Sequence, residues 1–397
     1  MPRSDPPRIA VIGAGPIGVE AALYARTLGY PVTVFERGEV GEHMSRWGHI
    51  RLFSPFSMNH TPLGLAAIQK DYPKHELPSN TDLLTGSDHR DAYLMPLTLT
   101  TLLCDSIRMD TEVLHIGRAN VLKSDPAHDP RRAASPFRLL VRQAKQESIE
   151  EADVVLDCSG TLGMHRWLGE GGIPAIGELA AAPHITYLPV DVLGARKEHY
   201  AGKSVVVVGG GYSAATTIAS LAQVAEQNPA TWIIWLNHGP RSTPLTRLFG
   251  DPLKSRDRLA ALANGLANRG EGHVEYHSQT VIQSVESHGA ERGIRITARC
   301  GSEELLWEVE RLIANVGYVP DLSFCRELHV LEPVGGAGVV QPEPNYFLLG
   351  MKSYGRDAQF LLSRGFEQIR DVFARVAGKP KLDLYDGVYA RTLRLAA

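Results

Sequence analysis

Apolar residues in this chain fall in short runs separated by glycine turns and by stretches with helical spacing. The first run, Ile9 to Ile12, is followed by a glycine turn, a helical pattern and a second run, Val32 to Phe35, which predicts strand, helix, strand. The same order recurs at Ser204 to Val208, a helix through Ile218, Leu221 and Val224, and a strand at Trp232 to Leu236. Between the two units, Asp91 to Met109 predicts a helix with Pro96 in its first turns, where proline is tolerated. Strands are expected at Thr111 to Ile116 and Pro136 to Arg142, with polar Lys123 to Ala134 as an exposed hairpin loop between them. A strand then ends at Ser159-Gly160, and the proline-bearing stretch Met164 to Tyr200 is expected as a crossing between domains. Further on, the pattern predicts a helix over Asp251 to Asn268 and strands at Val274 to Tyr276 and Val281 to Val285. A hairpin (Ile294 to Ala298, Leu305 to Val309) and a strand from Arg311 running into Gly317 follow. The chain closes with a short strand at Tyr346 to Gly350 and a helix from about Gln359 to Val376.

The turns carry the chemistry. Gly13-x-Gly15-x-x-Gly18 follows the first strand, and Glu36 ends the second, 18 residues past Gly18. Gly13 permits a tight turn, Gly15 lets a pyrophosphate approach the backbone, and Gly18 lets the helix lie close on the strand. The free N–H groups of the first helical turn face the phosphates, and Glu36 is placed to accept from a ribose hydroxyl. In the second unit the turn reads Gly209-x-Gly211-x-x-Ala214, and the second strand ends in Asn237 with no acid. Loss of the carboxylate and the nearby Arg241 favour a 2′-phosphate, hence NADPH over NADH; Arg247 is the other basic residue of that loop. Two such units on one chain imply two dinucleotides, with FAD in the first and a nicotinamide in the second.

Composition narrows the class. The chain has 397 residues, 44% apolar and 21% charged, with a net charge of −3, which gives no reason to expect nucleic acid or an anionic membrane as partner. The first residues are polar and no run of about 18 apolar residues follows, so a cytoplasmic protein is the expectation. The four cysteines (Cys104, Cys158, Cys300 and Cys325) form no C-x-x-C, which argues against a disulfide framework, a zinc site and a redox dithiol. No metal site and no G-x-S-x-G elbow is expected.

The irregular stretch from Gly38 to His60 is rich in aromatic, basic and hydroxyl side chains, as functional loops are. Either it runs along the cofactor, with Arg51, Ser54 and Asn59 near the flavin or substrate, or it is a surface loop anchored by Trp47, Phe53 and Phe56. His43, His49 and His60 are acid–base candidates in the same loop. Contacts to the first cofactor are expected from Gly13, Gly15, Pro16, Ile17, Gly18, Glu36, Arg37, Trp47, Val113, Ser159, Gly160, Gly350 and Gln359. Those to the second are expected from Gly209, Gly211, Tyr212, Ser213, Ala214, Asn237, Arg241 and Gly317. Lys352, and with it Arg356, is expected to stabilise charge on the reduced flavin beside the N-terminus of the last helix.

The two glycine motifs, Val316-Gly317-Tyr318-x-Pro320-Asp321 and Leu349-Gly350 before a final helix resemble the two-dinucleotide-binding-domain flavoproteins over most of the chain. Within them the chain is more similar to the flavin-containing and N-hydroxylating monooxygenases than to the thioredoxin reductases. The resemblance implies an α/β fold of two Rossmann-like dinucleotide-binding domains, the second inserted in the first. Residues 1–165 and 311–397 would bind FAD and residues 166–310 NADPH. It implies an NADPH-dependent FAD monooxygenase that acts on a small molecule with oxygen, through a flavin hydroperoxide sheltered in a dry pocket; a homodimer is left open. An NADPH-dependent reductase that inserts no oxygen is the alternative. Two departures stand out. Gly350-Met351-Lys352 replaces the Gly-Asp that many relatives use for the ribityl chain, and His184-Ile185-Thr186-Tyr187 stands where an F-x-G-x-x-x-H fingerprint would be.

Overall fold

The computed structural model describes residues 5–240, 242–269, 272–289, 292–334 and 338–386. In chain order the elements begin with β1 (Ile9–Ile12), α1 (Pro16–Thr27), β2 (Val32–Phe35), α2 (Glu42–Arg46), α3 (Pro62–Asp71), α4 (Gly86–His89) and α5 (Met95–Thr98). They continue with β3 (Ile107–Arg108), β4 (Thr111–Arg118), α6 (Pro130–Ala134), β5 (Phe137–Gln143), β6 (Gln146–Ala152) and β7 (Val154–Asp157). Next come α7 (Glu178–Ala181), β8 (Ile185–Thr186), α8 (Lys197–Tyr200), β9 (Ser204–Val208), α9 (Tyr212–Gln227), β10 (Trp232–Leu236) and α10 (Lys254–Ala267). The last are β11 (Val274–His277), β12 (Thr280–Ser287), β13 (Ile294–Cys300), β14 (Glu303–Val309), β15 (Arg311–Ala314), β16 (Tyr346–Leu348) and α11 (Leu362–Val376).

Two compact units result. One is made of the chain up to Met164 together with Val319 onward, the other of His165–Tyr318. The first holds a parallel five-stranded sheet, β16-β7-β1-β2-β3, and an antiparallel three-stranded sheet, β4-β5-β6. Alternate residues of its central strands face opposite ways. Val11, Val34 and Leu156 pack with Leu23 of α1 and Phe373 of α11, while Ala10, Phe35 and Val155 pack with Phe137 and Leu139 of β5. Tyr24 stacks on Phe373 at 5.0 Å, so α1 and α11 share one face of the sheet. The second unit repeats the plan with β11-β10-β9-β15-β8 and β12-β13-β14. Val205, Ile233 and Ile313 pack on α9 and α10 residues such as Ile218 and Ala263, and Val206, Ile234 and Leu312 pack on Val285 and Ile296. Strand order reverses at β1 in one sheet and at β9 in the other, as in doubly wound folds.

Several expectations from the sequence change. Arg311 to Tyr318 does not return to the first unit, because β15 pairs with β9 in register Leu312 to Val206. The stretch 165–200 carries short elements of the second unit rather than a bare crossing, since β8 pairs with β15. The helix expected at Asp91 starts earlier, at a capping box in which the Thr85 side chain accepts from Asp88 N and the Asp88 side chain accepts from Thr85 N. It turns π-helical over Arg90–Leu94, where Met95 N reaches Arg90 O, and ends at Thr98. Pro96 has no N–H for the carbonyl of Ala92, and His75 Nε2 supplies that bond at 2.8 Å.

Lys123 to Ala134 is largely exposed, as expected between the two strands, but it is not all loop. Its last five residues form α6, whose Arg132 is fully buried. Arg132 Nη1 donates to Glu343 at 3.0 Å, Arg118 Nε donates to its other oxygen at 2.9 Å, and His329 N adds a third bond. Arg132 Nε donates to the Pro126 carbonyl, and its Nη2 donates to those of Leu122 and Asp125. Removing one partner from such a buried network costs about 3–5 kcal/mol, because the charges left behind stay desolvated. Glu343→Gln is therefore expected to lower the stability of the first unit by that amount. The check is urea unfolding followed by the fluorescence of its tryptophan, Trp47.

Candidate active site

A cavity of about 480 Å³ opens at the carboxyl ends of the first unit's parallel strands. Gly13 and Gly15 line it after β1, Glu36 and Arg37 after β2, Cys158 to Gly160 after β7, and Leu349 to Met351 after β16. It therefore lies at the strand-order reversal, where α/β sheets bind ligands. Gly13 has φ +94°, and a Cβ there would lie 3.0 Å from the Cys158 carbonyl oxygen. A Cβ on Gly18 would stand 1.9 Å from the Gly13 oxygen, so this glycine is needed for helix-on-strand packing and does not line the cavity. Gly15 is the opposite case: its added Cβ meets nothing within 4 Å. Gly160, at φ +70°, is equally open. Glu36 holds the turn, accepting from Ala14 N at 2.6 Å and Gly38 N at 3.0 Å.

Of the remaining residues expected around this cofactor, Pro16, Ile17, Trp47, Val113, Ser159 and Gly350 also line the cavity, whereas Gln359 is exposed and does not. The last helix starts at Leu362, so Gln359 precedes it, and Leu361 and Leu362 line the cavity in its place. Ser54 and Asn59 line it as well, together with Phe53. Arg51 does not, because its guanidinium turns outward to the Leu83 carbonyl. Of the three histidines, only His43 lines the cavity, and burial lowers its pKa. Arg356 is exposed and paired with Glu332.

Lys352 is fully buried outside the cavity lining. Its Nζ lies 2.7 Å from Asp157 Oδ2 and 2.9 Å from Ser159 Oγ, and 4.4 Å from the centroid of Phe324, which lines the cavity. Tyr346 donates to the same Asp157 oxygen, and Ser159 to the other. Lys352 thus props the Ser159-Gly160 wall from behind and is no surface charge. Cys158 lines the cavity, but desolvation and then the Asp157 carboxylate push its thiol well above the usual range, so it is no ready thiolate.

Behind Asn59 lies a buried polar cluster that periodicity alone does not reveal. Glu20 on α1 accepts from Tyr93 OH and, at 2.9 Å, from Thr61 Oγ1. Tyr93 OH also accepts from Thr61 N at 3.0 Å. His89 Nε2 donates to the Asn59 carbonyl at 2.7 Å. One signal was available in the sequence: Glu20 interrupts the otherwise apolar run Val19 to Ala25.

In the second unit Gly209 has φ +146°, and its Cβ would stand 2.3 Å from the Asn315 oxygen; Gly211 is open, and α9 begins at Tyr212-Ser213 with Ala214 buried. Asn237 follows β10 with its amide turned inward, accepting from Gly239 N and donating to Tyr276 OH. Arg247 is held by Asp257 in a two-bond pair, and Arg241 lies outside the described residues. Gly317 has φ +87°, and its carbonyl accepts from Arg166 N. Asn315, missed by sequence reasoning, is buried with its Oδ1 taken by Thr217 at 2.8 Å and its Nδ2 without a partner. A buried donor left open beside a glycine turn fits a turn built to receive a polar ligand.

Residues 10–118 match the family model described as pyridine nucleotide-disulphide oxidoreductase. No curated protein matches the sequence. Among solved structures, the bacillithiol disulfide reductase Bdr (YpdA) from Bacillus cereus is similar at TM-score 0.68 and 14% identity, over 94% of this chain and 100% of that one. DfoA from Erwinia amylovora, a cadaverine monooxygenase bound to FAD, is similar at TM-score 0.68 and 13% identity, over 95% and 96%. The ornithine hydroxylase PvdA from Pseudomonas aeruginosa follows at TM-score 0.63 and 13% identity, over 98% and 100%. The likeness is one of fold. The chain has the α/β fold of the two-dinucleotide-binding-domain flavoproteins, with a Rossmann-like sheet in each unit. No described helix is long and apolar enough to cross a membrane.

Burial raises the Glu20 carboxyl to about 7, and the Tyr93 and Thr61 hydroxyls only partly offset this. A carboxyl whose pKa is raised on folding stabilises the protein below the unfolded value, and that stability is lost as pH rises through the folded one. Stability is therefore expected to fall between about pH 4.5 and 7, by at most about 1.4 kcal/mol per pH unit, and to level off above. Glu20→Gln should flatten that slope in urea titrations run across the window; an unchanged slope would show that Glu20 is ionised throughout.

Proposed function

We propose that this protein is an NADPH-dependent FAD oxidoreductase, and that it oxygenates a small molecule. The observation that carries the reading is the cavity at the strand-order reversal, whose glycine turn leaves the space over Gly15 empty while Glu36 braces the turn. Those residues fit FAD: the open backbone and the N-terminus of α1 for its pyrophosphate, and Glu36 for its ribose, since a carboxylate accepting two bonds keeps lone pairs for a hydroxyl. NADPH fits the Gly209 to Ala214 turn, with the neutral Asn237 in the acid's place and Asn315 Nδ2 as an unused donor. FAD, when bound, accepts hydride from the nicotinamide and passes the electrons on to an acceptor.

The protein's own part is to bind, orient and exclude water. Apolar Trp47, Phe53, Phe324 and Leu361 make much of the cavity wall, and the Ser54–Asn59 pair is the uncharged polar group that meets the substrate. A dithiol reductase reading has less support, because the cavity's cysteine, Cys158, has a raised pKa. The cadaverine monooxygenase DfoA and the ornithine hydroxylase PvdA share the fold, as the disulfide reductase Bdr does, and the apolar cavity wall is what favours oxygen as the acceptor. The domain assignment follows: FAD in the discontinuous first unit and NADPH in His165–Tyr318.

Protein incubated with excess FAD and desalted is expected to keep its flavin absorbance. Gly15→Val is expected to lose it with stability within about 0.5 kcal/mol of the parent, because the added side chain enters empty space. After anaerobic reduction by NADPH, admission of oxygen should yield a spectrum distinct from both oxidised and reduced flavin. Direct reoxidation with release of hydrogen peroxide, unchanged by any small amine or other substrate tried, would instead support the reductase.

A further inference from the structure

Asn59 faces the cavity but is held by more than its own loop. Its Oδ1 accepts from Ser54 Oγ at 2.8 Å, and its Nδ2 donates to the Ser54 carbonyl at 3.0 Å. The amide orientation is fixed by that carbonyl, which needs a donor. The second Nδ2 hydrogen has no acceptor among the described residues, although the residue is 99% buried. What sets the height of this amide in the cavity wall is the backbone of Asn59 to Thr61, and two buried side chains grip that backbone from behind. His89 Nε2 donates to Asn59 O, and four residues on, Tyr93 OH accepts from Thr61 N. Both rings are at most 1% exposed and lie 5.6 Å apart. Tyr93 is locked in turn by Glu20 on the glycine-motif helix. The fit leaves no slack, since a Cβ on Gly64 would stand 1.9 Å from Tyr93 OH.

We infer that His89 and Tyr93 are positioning residues that aim the free amide hydrogen of Asn59 into the cavity, with Glu20 tying that aim to the cofactor-binding helix. The inference rests on the flavoprotein reading for what the amide meets; the aiming itself rests on hydrogen bonds within one unit. The π-helical turn is part of the device. It begins just after His89 and contains Tyr93, and the extra residue in that turn changes the angle between the two rings from that of a regular i, i+4 pair. His89 acts as a neutral donor. Its Nδ1 has no partner, so a second proton would be buried without an acceptor, and desolvation lowers its pKa to about 4.

The test compares His89→Leu, which removes the donor, with His89→Gln, whose amide nitrogen reaches the place of the imidazole Nε2. In FAD-loaded protein, His89→Leu is expected to shift the bound-flavin absorption band and lower kcat for NADPH oxidation by about 10- to 100-fold, with KM for NADPH unchanged. His89→Gln should restore both. In the Asn59→Ala background, His89→Leu should add nothing, since both act on one amide. Additive losses, or a Gln variant as impaired as Leu at equal melting temperature, would overturn the inference. If His89→Leu does not fold, Tyr93→Phe carries the same comparison with a smaller shift expected. If the parent protein takes up no flavin, the functional reading fails separately. Hydrogen exchange of the amides of residues 54–61 then decides: it must rise in His89→Leu while residues 9–35 keep their protection, and no rise overturns the inference.

Discussion

The first unit is made from two stretches of chain, and one buried ion pair meets where they join. Asp157 ends β7 and Lys352 follows β16, and their charged atoms lie 2.7 Å apart with neither side chain exposed. Such a pair gains little net stability over an apolar filling, but losing one member is severe. Here the pair is well satisfied: Tyr346 and Ser159 donate to the carboxylate, Ser159 accepts from the ammonium, and the ammonium also lies over the Phe324 ring. The pair therefore sets register. It fixes the Cys158 to Gly160 wall against the Gly350 turn, and both walls line the cavity.

How much of this was legible depended on whether a feature is written in backbone or in side-chain pairing. The glycine turns were legible because only glycine permits φ +94° at Gly13 or the 1.9 Å approach at Gly18. Glu36 was legible because its distance from the turn is set by one helix and one strand. Arg51 and Lys352 were not, since the direction of a long cationic side chain is decided by its partner. Leu83 takes the one, and Asp157 and Ser159, far away in sequence, hold the other. Arg132 looked like a loop residue for the same reason: its carboxylate lies 211 residues away. Gln359 missed because the last helix begins three residues later than its apolar spacing suggested. The fate of β15 was hidden for another reason, as an apolar strand ending in glycine can pair with either sheet.

The two units solve one packing problem twice. Each places helices on one face of a five-stranded parallel sheet and a three-stranded antiparallel sheet on the other. They differ at the end of the second strand, where Glu36 braces one turn and Asn237 stands at the other. A carboxylate that accepts from turn amides favours a hydroxyl neighbour and repels a phosphate; a neutral amide in its place does not.

The division of the first unit also orders its birth on the ribosome. When synthesis has passed Tyr318, the second unit owns every strand of its sheets, whereas the first still lacks β16, α11 and the lysine that neutralises Asp157. The inserted unit is thus the earlier to be complete, although the first unit holds the N-terminus, reversing the usual N-to-C sequence of domain folding. Until Lys352 emerges, β7 keeps an open edge and an unpaired carboxylate. During translation it is the waiting half of the cavity, not the inserted unit, that most needs shelter from aggregation.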